Sequence, residues 1–190
     1  MIVGLDATFL LYFFAKPEDV GVPKGEDGEP IPFAKERVGG LIADLEKGGS
    51  TIVVSTPALS EIMVRSGVQA GQSWAAIMRA SKIFTLVPFD EKSAIEVALM
   101  AGHSVRGERA PDPDAGTHAK LKYDRQIVAV AKTEGATAFY TDDKSQRNLA
   151  TRLGMSVKGL ADCIVPTQVA QTPLPLEGGH GDKPPERGPS

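Results

Sequence analysis

The sequence predicts an α/β domain built on a mainly parallel sheet with helices on both faces. Short apolar runs alternate with amphipathic stretches in the order βαβα, with no internal repeats. Acidic residues follow several of those runs, at the edge where parallel sheets place their functional sites. The chain has 190 residues, 42% of them apolar, which suits one domain with a sizeable core.

The first element is Ile2–Leu5, an apolar run closed by Asp6, the pattern of a buried strand ending at a functional edge. TFLLYFF then begins a helix packed on the sheet. Residues 16–33 hold four of the 14 prolines and three glycines in an acidic context, which predicts an exposed loop. A loop of that length suggests a lid or an insertion. Val38, Leu41, Ile42 and Leu45 give helical spacing across 33–47, and Gly48-Gly49 stops that helix. A second strand, Thr51–Ser55, precedes Thr56-Pro57, read as an N-cap followed by proline at the first helical position. Glu61 then falls about one turn into the helix.

Gly67 and Gly71 bracket a predicted break, after which Trp74, Ile77, Met78 and Ser81 share a helical face. Phe84–Val87 is the third strand, closed by Pro88. Residues 91–103 read as a helix with Ile95, Ala98 and Leu99 inward, and 104–117 as a second polar loop. The stretch 121–143 is the most informative. Asp124 stands at the start of a helix with Ile127, Val128, Val130 and Ala131 as its apolar stripe; Gly135 caps it, and Ala138–Tyr140 forms a strand ending at Asp142 and Asp143. Residues 144–153 predict a short basic helix and 155–157 an edge strand. From Pro166 six prolines and four glycines in 25 residues predict a disordered tail, so the folded domain is expected at 1–165 and the tail at 166–190.

Net charge is only −3, so no global basic field points to nucleic acid. Its distribution is uneven: residues 118–152 hold seven Lys and Arg against four Asp and Glu, the one net-positive segment. The single cysteine, Cys163, excludes an internal disulfide or a thiolate zinc cluster and reads as a small buried apolar residue. TFLLYFFA is too short to span a bilayer and lacks a basic residue before it, so no membrane association and a cytoplasmic location are the default expectations.

Asp6, Glu61, Asp124 and Asp143 thus converge on one sheet edge. Each alone reads more readily as a helix cap or dipole partner than as a ligand. Together they would repel unless a cation neutralised them, and hard oxygen ligands without cysteine or paired histidine favour Mg2+ or Mn2+. His103 and His180 have no metal-ligand spacing, and His118 reads as a loop residue near the site. Lys120, Lys122, Arg125, Lys144, Arg147 and Arg152 flank the acids and can hold a phosphate backbone; their plainer reading is a solvated helix surface. Tyr12, Phe13, Tyr123 and Tyr140 are candidates to stack on bases, or core residues.

Four segments resemble the PIN domain nucleases, in particular the small toxin ribonucleases of the VapC type. They are IVGLDATFLLYFF with Asp6 and Thr8, TPALSEIM with Glu61, LKYDRQIVAVAK with Asp124, and YTDDKSQ with Thr141-x-Asp143. The resemblance spans about residues 1–160. It implies a PIN-like three-layer α/β/α sandwich with a five-stranded, mainly parallel sheet, and Mg2+- or Mn2+-dependent cleavage of RNA. It further implies Asp6, Glu61, Asp124 and Asp143 as catalytic metal ligands and Thr8 and Thr141 as their hydrogen-bonding support. Lys122, Arg125, Lys144 and Arg147 would meet RNA. Ser145 and Gln146 follow the T-x-D motif where an acid-aromatic pair is common in the family, which leaves Asp142 and Asp143 both open as the fourth acid. An antitoxin partner and a homodimer are implied for the region of Met63, Val64, Val68, Trp74 and Met78, which reads as core or as an exposed groove.

Two other readings stand beside the nuclease. One is a PIN-like module that binds RNA or protein without cleaving, against which the presence of all four acids argues. The other is a small-phosphate phosphatase, for which the chain has no nucleophile motif of the D-x-D-x-[TV] kind.

Overall fold

A computed structural model describes residues 1–25, 27–105 and 118–167, with side chains given outside 101–105 and 118–121. Most of the loop expected at 104–117, the tail from 168 onward and the side chains of His103, His118 and Lys120 therefore lie outside the described residues.

Strand β1 (Ile2–Leu5) leads through Asp6 into α1 (Ala7–Phe14). A short helix α2 (Pro17–Val20) and an antiparallel bridge between Lys24 and Pro30 give the 16–33 segment structure that its loop composition did not predict. Then follow α3 (Ala34–Lys47), β2 (Thr51–Ser55), α4 (Thr56–Ser66), α5 (Val68–Ala80) and β3 (Phe84–Val87). The second half comprises α6 (Glu91–Val105), α7 (His118–Thr133), β4 (Ala138–Tyr140), α8 (Lys144–Arg152), β5 (Ser156–Lys158) and a 3-10 turn at Leu160–Asp162.

The sheet runs β3-β2-β1-β4-β5 and every pairing in it is parallel. From β1 the chain builds outward to β2 and β3 on one side and later to β4 and β5 on the other. The junction of β1 and β4 is therefore the topological switch point, where a crevice opens beyond the strand ends. Val3 pairs with both Ile52 and Ala138, and Leu5 with Tyr140.

Strand alternation sends side chains to two helical layers. Val3, Leu5, Ile52 and Val54 join Phe9 and Leu10 of α1 and Val38 and Ile42 of α3 in the larger core. On the opposite face Val53 and Val87 pack with Val130 of α7, flanked by Ile2 and Phe89. Helices therefore cover both faces, as the apolar strands required.

Gly4 lets α7 approach the sheet. A Cβ there would stand 2.6 Å from Phe139 Cδ2 and 2.8 Å from the Ala131 methyl, both closer than carbon atoms pack. Gly4→Ala is expected to destabilise the fold by about 1–3 kcal/mol, the usual cost of overpacking a tight core, measured by equilibrium denaturation. An unchanged midpoint would show that helix and sheet can separate freely at this point.

Several expectations need correction. Ser55, not Thr56, caps α4: its hydroxyl accepts the Ala58 N–H at 3.2 Å, while Thr56 Oγ1 accepts the Phe89 N–H. Gly71 marks no break; it lies inside α5, where its missing side chain admits Met63. Ser81 is the C-cap of α5 rather than part of its face, and Ile77 is exposed. Ile95 and Leu99 are 55% and 54% exposed and Ala98 is exposed as well, whereas Ser93 is the buried residue among those of α6 whose side chains are described, bonded to Asp90 and Thr133. The predicted inward stripe of α6 thus faces out. Asp124 is the seventh residue of α7, because that helix begins three residues before 121.

Candidate active site

Asp6 is held where β1 becomes α1. Its Oδ1 accepts the Phe9 N–H at 2.8 Å, so it caps α1, and its Oδ2 accepts the Thr141 hydroxyl at 2.6 Å. Only 1% of the residue is exposed. Burial pushes its carboxyl up from 3.8 to about 7 against those two hydrogen bonds, and the charges of Asp142 and Glu61 add to the rise.

Thr141, fully buried just after β4, joins the two strand ends. Its Oγ1 donates to Asp6 and accepts the Asp143 N–H at 3.0 Å. Asp143 caps α8, its Oδ1 accepting the N–H groups of Ser145 at 2.8 Å and Gln146 at 3.1 Å. The adjacent acid turns elsewhere. Asp142 Oδ1 accepts the Leu160 N–H at 2.9 Å and packs on Gly159, and partial burial holds its carboxyl above the ordinary range.

A cavity of about 590 Å³ opens beside these strand ends, lined by Ala7, Thr8, Ser60, Glu61, Val64, Arg65, Tyr123, Asp124, Asp143 and Gln146. Asp143 is in its wall and Asp142 is not. Asp124, although the seventh residue of α7, lines the same cavity; it is buried, and its Oδ1 accepts the Gln146 Nε2 hydrogen at 3.2 Å. Glu61 on α4 faces Arg65 one turn later, 3.7 Å away.

Glu61, Asp124 and Asp143 thus share one cavity, with Asp6 bonded behind it through Thr141. Among the described residues no three His, Cys, Asp or Glu side chains are grouped closely enough to hold a metal ion, so the acids are gathered but do not form a preassembled cage. The donor set nevertheless suits a hard divalent cation. It is all oxygen, and it includes the buried Gln146 Oε1, which has no hydrogen-bond partner.

The expected RNA-binding residues are not brought into the cavity. Lys122 and Lys144 are exposed outside it, Arg125 is half-buried, and Arg147 lies against Gly159. Arg65 is the cation in the wall, and Tyr123, 47% exposed, is the aromatic. Tyr140 is core, while Tyr12 and Phe13 pack partly buried against it. Arg65 was foreshadowed by its i+4 spacing from Glu61, and Gln146 by its place three residues after a capping aspartate.

No protein-family model matches the sequence, and the comparison with curated proteins finds no match. Solved structures do match. VapBC2 from Rickettsia felis, bound to a DNA fragment from its promoter, aligns with TM-score 0.52 and 16% identity over 84% of this chain and 98% of that one. VapBC-1 from nontypeable Haemophilus influenzae aligns with TM-score 0.51 and 13% identity over 85% of this chain and all of the other. The fold is PIN-like. At these identities the likeness establishes architecture, and the resemblance read from the four acidic segments is borne out at that level.

Proposed function

We propose that this chain is a divalent-metal-dependent endoribonuclease, acting in the cytoplasm as the toxin of a toxin-antitoxin pair. The observation that carries the reading is that Glu61, Asp124 and Asp143, from three separate elements, line one cavity, with Asp6 bonded to Thr141 at the ends of β1 and β4 in a PIN-like fold. Glu61, Asp124 and Asp143 would hold the cation, with Asp6 drawn in through Thr141. A bound Mg2+ or Mn2+ supplies Lewis acidity that polarises the phosphodiester and favours ionisation of an attacking water.

The rest is work for the chain's own groups. Thr141 keeps Asp6 oriented, and Asp143 is fixed by two backbone N–H groups of α8. Glu61, partly exposed at the cavity wall, is oriented by Arg65 one turn along α4. Arg65 offers its guanidinium to a phosphate, and Tyr123 offers a ring for a base to stack on. Lys122 and Lys144 extend the cationic surface outward.

A second groove, about 730 Å³, adjoins the first through Arg65 and is lined by Leu11, Phe14, Val20 and Trp74 among others. Val64 and Val68 stay exposed nearby, at 83% and 62%. This apolar surface supports an antitoxin partner and a homodimer. Among the described residues no helix is long and apolar enough to cross a membrane.

Purified protein is expected to cleave single-stranded RNA with Mg2+ or Mn2+ and to stop when EDTA removes the ion, read on denaturing gels. That no three His, Cys, Asp or Glu side chains among the described residues are grouped closely enough to hold an ion favours one alternative, a PIN-like module that binds RNA or protein without cutting. RNA binding with no cleavage at any divalent concentration would select it.

A further inference from the structure

Gln146 stands between two of the acids. As the third residue of α8 it donates its backbone N–H to Asp143 Oδ1 at 3.1 Å, and its side chain crosses to α7, where Nε2 donates to Asp124 Oδ1 at 3.2 Å. The amide's orientation follows from chemistry, since turning it over would set two acceptors against each other. Oε1 is consequently the end left over. It is buried, in a residue only 4% exposed, in the cavity wall, and no donor reaches it. Folded proteins rarely bury an amide oxygen without a partner, and such an atom in an acidic cavity calls for a cation or a water.

We propose that Gln146 Oε1 is a neutral oxygen ligand of the divalent cation shared by Asp124 and Asp143, while Nε2 positions Asp124 for the same ion. The inference rests on the metal-dependent reading above and assigns one more member of the site. Amide carbonyls are ordinary ligands of hard cations. A neutral ligand here adds an oxygen without adding a fifth negative charge beside Asp6, Glu61, Asp124 and Asp143. It also lets one side chain do two jobs, since only an amide can donate to one carboxylate and still offer an oxygen.

The test is calorimetric titration of the full chain with Mn2+, in native protein, Gln146→Leu and Gln146→Glu, beside thermal melting without divalent ions. Gln146→Leu should weaken Mn2+ binding by about tenfold, the lower end of what supporting ligand groups contribute, and lower the metal-free melting midpoint modestly, because the buried Asp124 Oδ1 loses the Nε2 donor. Gln146→Glu keeps an oxygen in place and adds charge. It should bind Mn2+ more tightly than native and melt at a lower temperature without it, because two carboxylates then face each other at Asp124. Native-like Mn2+ affinity in Gln146→Leu would overturn the proposal and leave the metal site intact. Weaker binding in Gln146→Glu would show the amide to be only a hydrogen-bond donor to Asp124 and would overturn the ligand role. No Mn2+ binding by the native chain would remove the metal-dependent reading together with this one.

Discussion

Asp124→Asn is expected to reduce Mn2+-dependent RNA cleavage by about 10²- to 10³-fold, the scale on which single preorganised groups act at a reaction centre. The substitution is chosen because it changes charge with little change of shape. Asp124 is buried and accepts the Gln146 Nε2 hydrogen through Oδ1, and an asparagine oxygen can accept the same hydrogen bond. Packing around Ile127 and Val128 on the same helix is untouched. Melting midpoint should therefore stay close to native while initial cleavage rates fall and the variant's Mn2+ affinity drops with them. Retention of full activity would remove Asp124 from the site. A fall in activity accompanied by an equal loss of folded protein would mean that Asp124 is structural.

What the sequence made legible is governed by local rules. Ile2–Leu5, Thr51–Ser55, Phe84–Val87 and Ala138–Tyr140 have the bounds predicted for them, because strands covered on both faces are apolar runs with abrupt ends. The last strand, Ser156–Lys158, lies one residue later than expected; it is a short edge strand with polar ends, where apolar pattern says least. The positions of Asp6, directly after β1, and of Asp143, three residues after the end of β4, were legible for the same reason as the strands.

Errors arose where tertiary neighbours decide. Ile95 and Leu99 form an apolar i,i+4 pair, but spacing cannot say which way the pair faces, and α6 instead turns Ser93 toward Thr133 of α7. Gly71 looks like a break until Met63 is placed against it. Arg65 and Gln146 carry only the local signals of an i+4 ion pair and of a residue behind a capping aspartate. Their place at the cavity depends on α4 and α8 meeting α7, which no local pattern encodes.

Asp6→Asn should make the metal-free protein more stable at neutral and alkaline pH, the reverse of the usual effect of mutating a helix cap. Burial raises the Asp6 carboxyl from 3.8 to about 7, so the fold holds a proton there that the unfolded chain releases. Below about pH 4 both states are protonated and nothing is lost. As pH rises from about 4 to 7 the unfolded state is favoured progressively, and above 7 the loss levels off at up to about 4 kcal/mol. Asparagine caps helices as well as aspartate, and its oxygen can accept the Phe9 N–H in place of Oδ1. It carries no charge to desolvate. Denaturant titrations in EDTA should therefore show the two proteins converging near pH 4 and the variant ahead by a few kcal/mol at pH 8. A difference that does not vary with pH would contradict the raised carboxyl. Adding Mn2+ should narrow or invert the gap, since ligand at about 100 times its Kd stabilises a binding protein by about 2.7 kcal/mol and the variant has lost one of its anions. On this account the cost of burying Asp6 ionised is what a cation would relieve, and the instability of the metal-free fold above pH 7 follows from the same placement that equips the site for its ion.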